Sequence, residues 1–131
     1  MPHLQFEVSV AVPDAAARDF AAWVTDLYSD VMDTGTGHVG VTVRDEASVA
    51  LGRAGPDDPV AILNADVRAG RSFDQREALA MAVMDEMSER WGVAREHCYV
   101  VYTEHPGEDF LLSEGPLEGW SAGEERSGGG G

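Results

Sequence analysis

The sequence predicts an α/β (α+β) domain in which two tandem βαβ units form one four-stranded sheet with two helices on one face. A chain of 131 residues has the size of a single domain with one core. A strand-like, a helix-like and a second strand-like segment follow one another twice at nearly equal lengths, which indicates an internal duplication. Right-handed crossovers make the strands of each unit parallel and bring both helices to the same face.

The first unit consists of a strand at about 3–11, a helix and a second strand. The helix is predicted from Asp14, a suitable N-cap residue, to about Met32. Alternating valines then predict a strand over 39–44. The residues predicted to face the core from this helix are Phe20, Val24, Leu27 and Val31.

The second unit begins with a continuous apolar strand at 60–67. Ser72 and Gln75 have the spacing of a capping box, which predicts the start of a second helix. This helix is predicted to stop at Gly92, and the last central strand lies at 99–102. Its predicted core residues are Leu79, Val83, Met87 and Trp91.

Residues 1–120 are interpreted as the folded domain and residues 121–131 as a disordered acidic and glycine-rich tail, because the tail offers almost nothing apolar to bury. The helices leave one face of the sheet bare. Alternate residues such as Val8, Val10, Val41 and Val43 are apolar on that face or on the helix side. A one-sided sheet of this kind predicts an oligomer.

The sequence offers no targeting or membrane segment. No stretch approaches the ~18 apolar residues of a membrane helix, and the N-terminus lacks the basic and apolar regions of a signal peptide. The single cysteine, Cys98, is expected to be a small buried hydrophobic residue. These features predict a cytoplasmic protein.

The charge balance is strongly acidic. The chain has 24 acidic and 9 basic residues, a net charge of −15, and every basic residue is arginine. Such a surface repels nucleic acid backbones and anionic lipids, so neither nucleic acid nor membrane is an expected partner. The absence of lysine favours a halophilic host with high intracellular salt, although an ordinary acidic cytoplasmic protein has the same balance.

Salt is therefore expected to stabilise the protein. The Debye length shrinks from ~30 Å at 0.01 M to ~3 Å at 1 M, so added salt removes the self-repulsion of the acidic surface. We expect the melting temperature to rise monotonically between these concentrations, as calorimetry would measure. A melting temperature that is flat or falling over this range would contradict salt adaptation.

Pro2 follows the initiator Met1 at the start of the first strand. Methionine removal is favoured before a small residue, and the mature chain would then begin with a secondary amine. Burial of an α-amino group disfavours its charged form. A proline nitrogen held at the start of a strand can therefore serve as a rigid general base or acid. The alternative is that Met-Pro reflects N-terminal processing alone.

Arg68 and Arg71 lie three residues apart in a turn just before the second helix. Their planar guanidinium groups can converge on one carboxylate, and the helix N-terminus adds partial positive charge. In a protein of net charge −15, this cluster indicates an anion site. Two solvated arginines at a strand end are the alternative.

Together these features resemble the tautomerase superfamily, and in particular its cis-3-chloroacrylic acid dehalogenase-like branch. The resemblance covers residues 2 to about 115. The residues that carry it are Pro2, the turn from Arg68 through Arg71 to Ser72, Tyr102, Glu114 and the loop Thr34-Gly35-Thr36-Gly37-His38. Tyr28 is the best match for a histidine that the branch places late in the first helix, and Tyr102 and Glu114 are one residue further apart than the branch pattern.

The resemblance implies a cofactor-independent tautomerase or isomerase, assembled as a homotrimer, acting on a small 2-oxo or enol carboxylic acid. Pro2 would be the general base and Tyr102 would donate a hydrogen bond to the enolate oxygen. Arg68 and Arg71 would bind the substrate carboxylate. Tyr28 is assigned to substrate binding, and Glu114 is included among the catalytic residues.

Two other functions remain open at this point. A hydratase or hydrolytic dehalogenase of an unsaturated acid would use protonated Pro2 as an acid and water activated by Tyr102 and Glu114. A non-catalytic oligomeric binding module could have the same fold. No metal or other cofactor is expected, because the histidines and Cys98 lack ligand spacing and Gly35-Thr36-Gly37 lacks the remainder of a phosphate loop.

Overall fold

A computed structural model of the chain describes residues 2–117. The predicted tail at 121–131 lies outside the described residues, so the predicted division of the chain stays a prediction. The helices and strands are β1 (His3–Val8), α1 (Asp14–Met32), β2 (Gly40–Arg44), β3 (Ala61–Arg68), α2 (Phe73–Trp91), β4 (Cys98–His105), β5 (Leu111–Leu112) and β6 (Gly115–Pro116). Short 3₁₀ helices lie at Arg95–His97 and Gly107–Asp109.

The main sheet has the strand order β2-β1-β3-β4, and its pairing confirms the two predicted βαβ units. Strand β1 is parallel to β2, and β3 is parallel to β4. The two units join through an antiparallel pair, β1 with β3, in which His3 lies opposite Asp66 and Val8 opposite Ala61. The start of β1 therefore lies beside the end of β3.

Helix α1 differs from its prediction in two details. Its N-cap is Pro13, without a side-chain cap bond, and Asp14 is the first helical residue. Its fully buried apolar side chains are Phe20, Val24, Tyr28 and Met32. Leu27 and Val31, predicted to lie in the core, are only partly buried. These fully buried apolar side chains are four residues apart throughout.

Helix α2 begins and ends as predicted. The Ser72 hydroxyl accepts a hydrogen bond from the Gln75 amide at 3.1 Å, and the Gln75 side chain accepts one from the Ser72 amide at 2.9 Å. Gly92 ends the helix at φ 68°, in the left-handed region that glycine adopts without strain. Leu79, Val83 and Met87 are fully buried, while Trp91 is partly buried.

One core lies between the helices and the sheet, and Phe6 on β1 is at its centre. The Phe6 ring meets Phe20 of α1 edge-on at a centroid distance of 4.8 Å and Trp91 of α2 at 6.3 Å. Contacts with both helices confirm that the helices share one face of the sheet. Cys98 is buried at the edge of this core, and burial raises the pKa of its thiol to about 11, as expected of an unreactive cysteine.

On strands β1 and β2, the other face of the sheet carries polar side chains. Val8 lies in the core, and Val10, Val41 and Val43 pack against it, so all four predicted valines lie on the helix side. On the open face the His3 ring hydrogen-bonds the Thr42 hydroxyl at 2.9 Å and Gln5 bonds His3 at 3.3 Å. Between residues 2 and 117, neither helix has the length and apolar character needed to cross a membrane.

A small hairpin, β5–β6, follows β4 and has no counterpart in the sequence prediction. Each of its strands is two residues long, too short for any periodic pattern. Leu117 donates its amide to the Phe110 carbonyl at 3.1 Å, which closes the hairpin on itself.

Candidate active site

Two strands and two helices begin or end at the same end of the sheet. They are the start of β1, the end of α1, the end of β3 and the start of α2. The Gly40 amide donates to the Pro2 carbonyl at 3.0 Å, which holds the first residue of β1 against β2. The Gln75 amide group donates to the Val31 carbonyl at 3.1 Å, which joins the start of α2 to the end of α1. Pro2 itself is buried at this end.

The two arginines of the predicted anion site are buried rather than solvated. Arg68 is 3% exposed and Arg71 is 4% exposed. Arg68 ends β3, and Arg71 directly precedes the N-cap of α2. The turn between them needs Gly70, whose φ of 127° is accessible to glycine and strained for other residues. The turn therefore places both arginines at the end of β3, which lies beside the start of β1 and Pro2.

Tyr28 is fully buried in the last turns of α1 and belongs to the hydrophobic core. Thr34 is also fully buried, and its amide donates to the Ser29 carbonyl at 3.1 Å. This hydrogen bond fixes the start of the loop 34–39. The loop leads to Gly40, which is hydrogen-bonded to Pro2. The chain after α1 thus becomes one wall of the candidate site.

Tyr102 lies on β4, and its hydroxyl donates to the Arg76 carbonyl at 2.7 Å. Burial raises the pKa of Tyr102 well above its ordinary value, nearby Tyr28 adds to the rise, and Arg76 opposes it. Tyr102 pairs with Ala65 of β3, and Ala65 pairs with Leu4 of β1. Strand β3 therefore lies between the strand of Tyr102 and that of Pro2, and these two strands are about 10 Å apart. The structure does not bring these two residues together within one chain.

Tyr102 also lines a groove of about 240 Å³ between α2 and the edge strand β4. The other residues that line it include Phe73, Arg76, Ala80, Met81, Met84 and Val100. The tyrosine is therefore accessible from the outer edge of the sheet.

Replacing Tyr102 with phenylalanine should lower the free energy of unfolding by about 1 kcal/mol at neutral pH, the usual contribution of one hydrogen bond. Because burial raises the pKa of Tyr102, its ionisation opposes folding. The stabilisation is present below about pH 10 and lost as the pH rises further. Urea unfolding should give a smaller difference in the free energy of unfolding between wild type and Tyr102→Phe above pH 10 than at pH 7.

Tyr99 provides the matched control, since it lies on the same strand and is 46% exposed. Tyr99→Phe should leave stability nearly unchanged. A Tyr102→Phe effect that is constant with pH would contradict the role of burial.

Glu114 lies in the turn between β5 and β6, and its side chain is 60% exposed. Hydrogen bonds from its own backbone and from the Ser113 hydroxyl lower the pKa of Glu114, and nearby His38 contributes in the same direction. The His38 ring lies 3.8 Å from the carboxylate. The hairpin thus brings Glu114 to the loop 34–39, a contact that the sequence pattern did not indicate.

The described part of the chain contains no group of three or more histidine, cysteine or acidic side chains that could hold a metal ion. The polar groups of the candidate site include the guanidinium groups of Arg68 and Arg71. Chemically, this arrangement suits the binding of a small anion and proton transfer beside it.

No protein-family model matches the chain, and no curated protein is significantly similar to it. Solved structures do match. N1, a member of the cis-3-chloroacrylic acid dehalogenase family, has a TM-score of 0.77 at 24% identity, covering 95% of this chain and 88% of that one. This chain has the tautomerase fold.

Two further solved structures are similar to this chain. A macrophage migration inhibitory factor-like protein from Entamoeba histolytica has a TM-score of 0.77 at 15% identity, covering 88% of this chain and 98% of that one. Pt0534 inactivated by 2-oxo-3-pentynoate has a TM-score of 0.75 at 16% identity, with coverages of 88% and 95%. These likenesses confirm the predicted fold, and at such identities they concern the fold alone.

Proposed function

We propose that the protein is a cofactor-independent tautomerase that uses Pro2 as a general base on a small 2-oxo or enol carboxylic acid. One observation carries the proposal: two arginines, 3% and 4% exposed, lie at the end of β3, beside the start of β1, where Pro2 is buried. The planar guanidinium groups of two neighbouring arginines, next to the positive end of a helix, support the binding of a small carboxylic acid there.

The same arginines would tune Pro2. Positive charge near an amine disfavours its protonated form, and so does burial. A neutral Pro2 nitrogen could then take the proton α to a carbonyl while Arg68 and Arg71 bind the carboxylate. Negative charge that develops on the enolate oxygen would be stabilised by a hydrogen-bond donor.

Tyr102 is our candidate for that donor. Because the pKa of Tyr102 is raised, the phenol stays protonated and can donate. Its hydrogen is directed at the Arg76 carbonyl, and β3 separates it from Pro2. We therefore propose that Tyr102 acts on the substrate held by a neighbouring subunit.

Mixed oligomers test this arrangement. Neither Pro2→Ala nor Tyr102→Phe alone should have full activity, but mixing the two after dissociation should restore part of it. No recovery in verified mixed oligomers would mean that Tyr102 does not act across subunits.

The hydratase or dehalogenase alternative has less support. It requires a base that activates water, and the raised pKa of Tyr102 makes the phenolate scarce. A carboxylate with a lowered pKa, such as Glu114, is a weak base, and this one is exposed. A non-catalytic binding module remains the alternative from a different class, and it predicts no turnover.

The decisive experiment is turnover of phenylenolpyruvate at high salt, with wild-type protein compared with Pro2→Ala. We expect ketonisation by the wild type and a large loss in the variant. Turnover that is equal in both proteins would contradict the proposed mechanism, and absence of turnover in the wild type would favour the binding module.

We also expect a homotrimer. Large apolar side chains remain exposed in a single subunit, notably Phe73 at 61% and Leu111 at 73%. Sedimentation equilibrium in molar salt should give three times the chain mass of 14.0 kDa. A fully active monomer would contradict both the trimer and catalysis across subunits.

A further inference from the structure

His105 is tied to the turn that carries the two arginines. It is the last residue of β4 and lies opposite Arg68 in the parallel register with β3. Its carbonyl accepts a hydrogen bond from the Ala69 amide at 2.7 Å, in the middle of the turn. A shift of His105 would therefore move the backbone that connects Arg68 to Arg71.

The His105 ring lies between two carboxylates. Its Nε2 is 2.9 Å from an Asp66 oxygen on β3, and its Nδ1 is 4.0 Å from an Asp109 oxygen on the second 3₁₀ helix. Phe110 packs edge-on against the ring at a centroid distance of 5.5 Å. A neutral imidazole has one N–H group, so only the protonated ring can donate to both carboxylates.

Asp66 is an unfavourable neighbour for an anion site. It precedes Arg68 by two residues on the same strand, so both side chains leave the same face about 7 Å apart. Asp66 also lies opposite His3, the residue after Pro2. An unneutralised carboxylate here would repel a substrate carboxylate bound by Arg68.

We propose that His105 is a positioning residue for substrate binding: it neutralises Asp66 and holds the Arg68–Arg71 turn in place. This inference rests on the proposed function of the two arginines. The protonated ring and the Asp66 carboxylate form a pair with no net charge beside the site. His105 touches no reacting atom in this proposal and acts through Asp66 and the turn.

The proposal predicts that anion binding depends on pH. Asp66 and Asp109 face the ring from the two elements packed against it, and Arg68 is its register neighbour. Only the protonated ring offsets the charge of Asp66, so the proposal predicts tighter binding of a carboxylate at pH 5.5 than at pH 8.5.

The test measures phenylpyruvate binding by titration calorimetry at pH 5.5 and pH 8.5. His105→Gln should weaken binding about fivefold at the lower pH, the usual limit for one half-exposed charge pair, and less at the higher pH. Adding Asp66→Asn to His105→Gln should restore the wild-type affinity. His97→Ala is the matched control, since His97 lies at the opposite end of β4 and should change nothing.

The outcomes separate the two proposals. Weakening by His105→Gln that Asp66→Asn reverses supports the positioning role, and a purely structural role would show no reversal. Equal affinity of wild type and His105→Gln at both pH values would overturn the inference, as would weakening without reversal. If Arg71→Ala binds phenylpyruvate as tightly as wild type, the proposed carboxylate site itself fails.

Discussion

Replacing Pro2 with alanine is expected to lower kcat/KM for an enol acid by about 100-fold, the lower end of the range for a positioned general base. Alanine still begins the chain with an amine, but this amine lacks the ring that fixes its direction. The Gly40 bond to residue 2 uses the backbone carbonyl, so the fold should be retained. Stopped-flow or steady-state absorbance of phenylenolpyruvate would measure the loss.

A chain that retains Met1 should lose more activity, up to about 10,000-fold, because the proline nitrogen is then an amide and cannot accept a proton. Intact mass must therefore be measured for every preparation. Pro13→Ala is a matched control, since Pro13 is exposed at the start of α1. Full turnover by a protein that retains Met1 would exclude Pro2 as the base.

Replacing Arg68 or Arg71 with alanine is the other change with a large expected effect. Loss of a charge-assisted pair with the substrate carboxylate should cost about 2–4 kcal/mol in transition-state stabilisation, or about 30- to 1,000-fold in kcat/KM. Lysine at either position should recover part of this loss, because it restores the charge without the planar fork. Kinetics with esterified and free acid substrates would show the loss for the free acid alone.

Arg18→Ala is the matched control, because Arg18 is exposed on α1 and the substitution changes the net charge equally. Melting temperatures of all variants would reveal any loss of folding from the buried positions. If both Arg68→Ala and Arg71→Ala keep the wild-type kcat/KM in folded protein, the carboxylate assignment is wrong.

Local patterns were sufficient to predict most of the fold. The capping box at Ser72 and Gln75 and the terminator Gly92 involve atoms within a few residues of each other, so the chain encodes them directly. Strand β1 could be predicted from the sequence because its side chains alternate between buried and half-buried positions. The handedness of crossovers predicted parallel strands within each βαβ unit, whereas the strand order and the antiparallel pairing of β1 with β3 came from the structure alone.

The limits of sequence reasoning are visible at α1. Phe20 and Val24 begin two different apolar stripes, one through Leu27 and one through Tyr28, and both fit a helical period. In the structure, the packing of α1 against the core buries Tyr28 fully and Leu27 only partly. That packing depends on the whole core, so no local pattern could have predicted it.

The sequence by itself determined the two βαβ units, the proline at residue 2 and the pair of arginines beside a helix start. Only the tertiary structure decided that the arginines are buried, that Tyr102 bonds Arg76 across 26 positions of the chain, and that His105 pairs with Asp66 across 39. The physical reason is one of range. Propensities, caps and turns act over a few residues, whereas burial and charge pairing depend on which distant segments the folded sheet brings together.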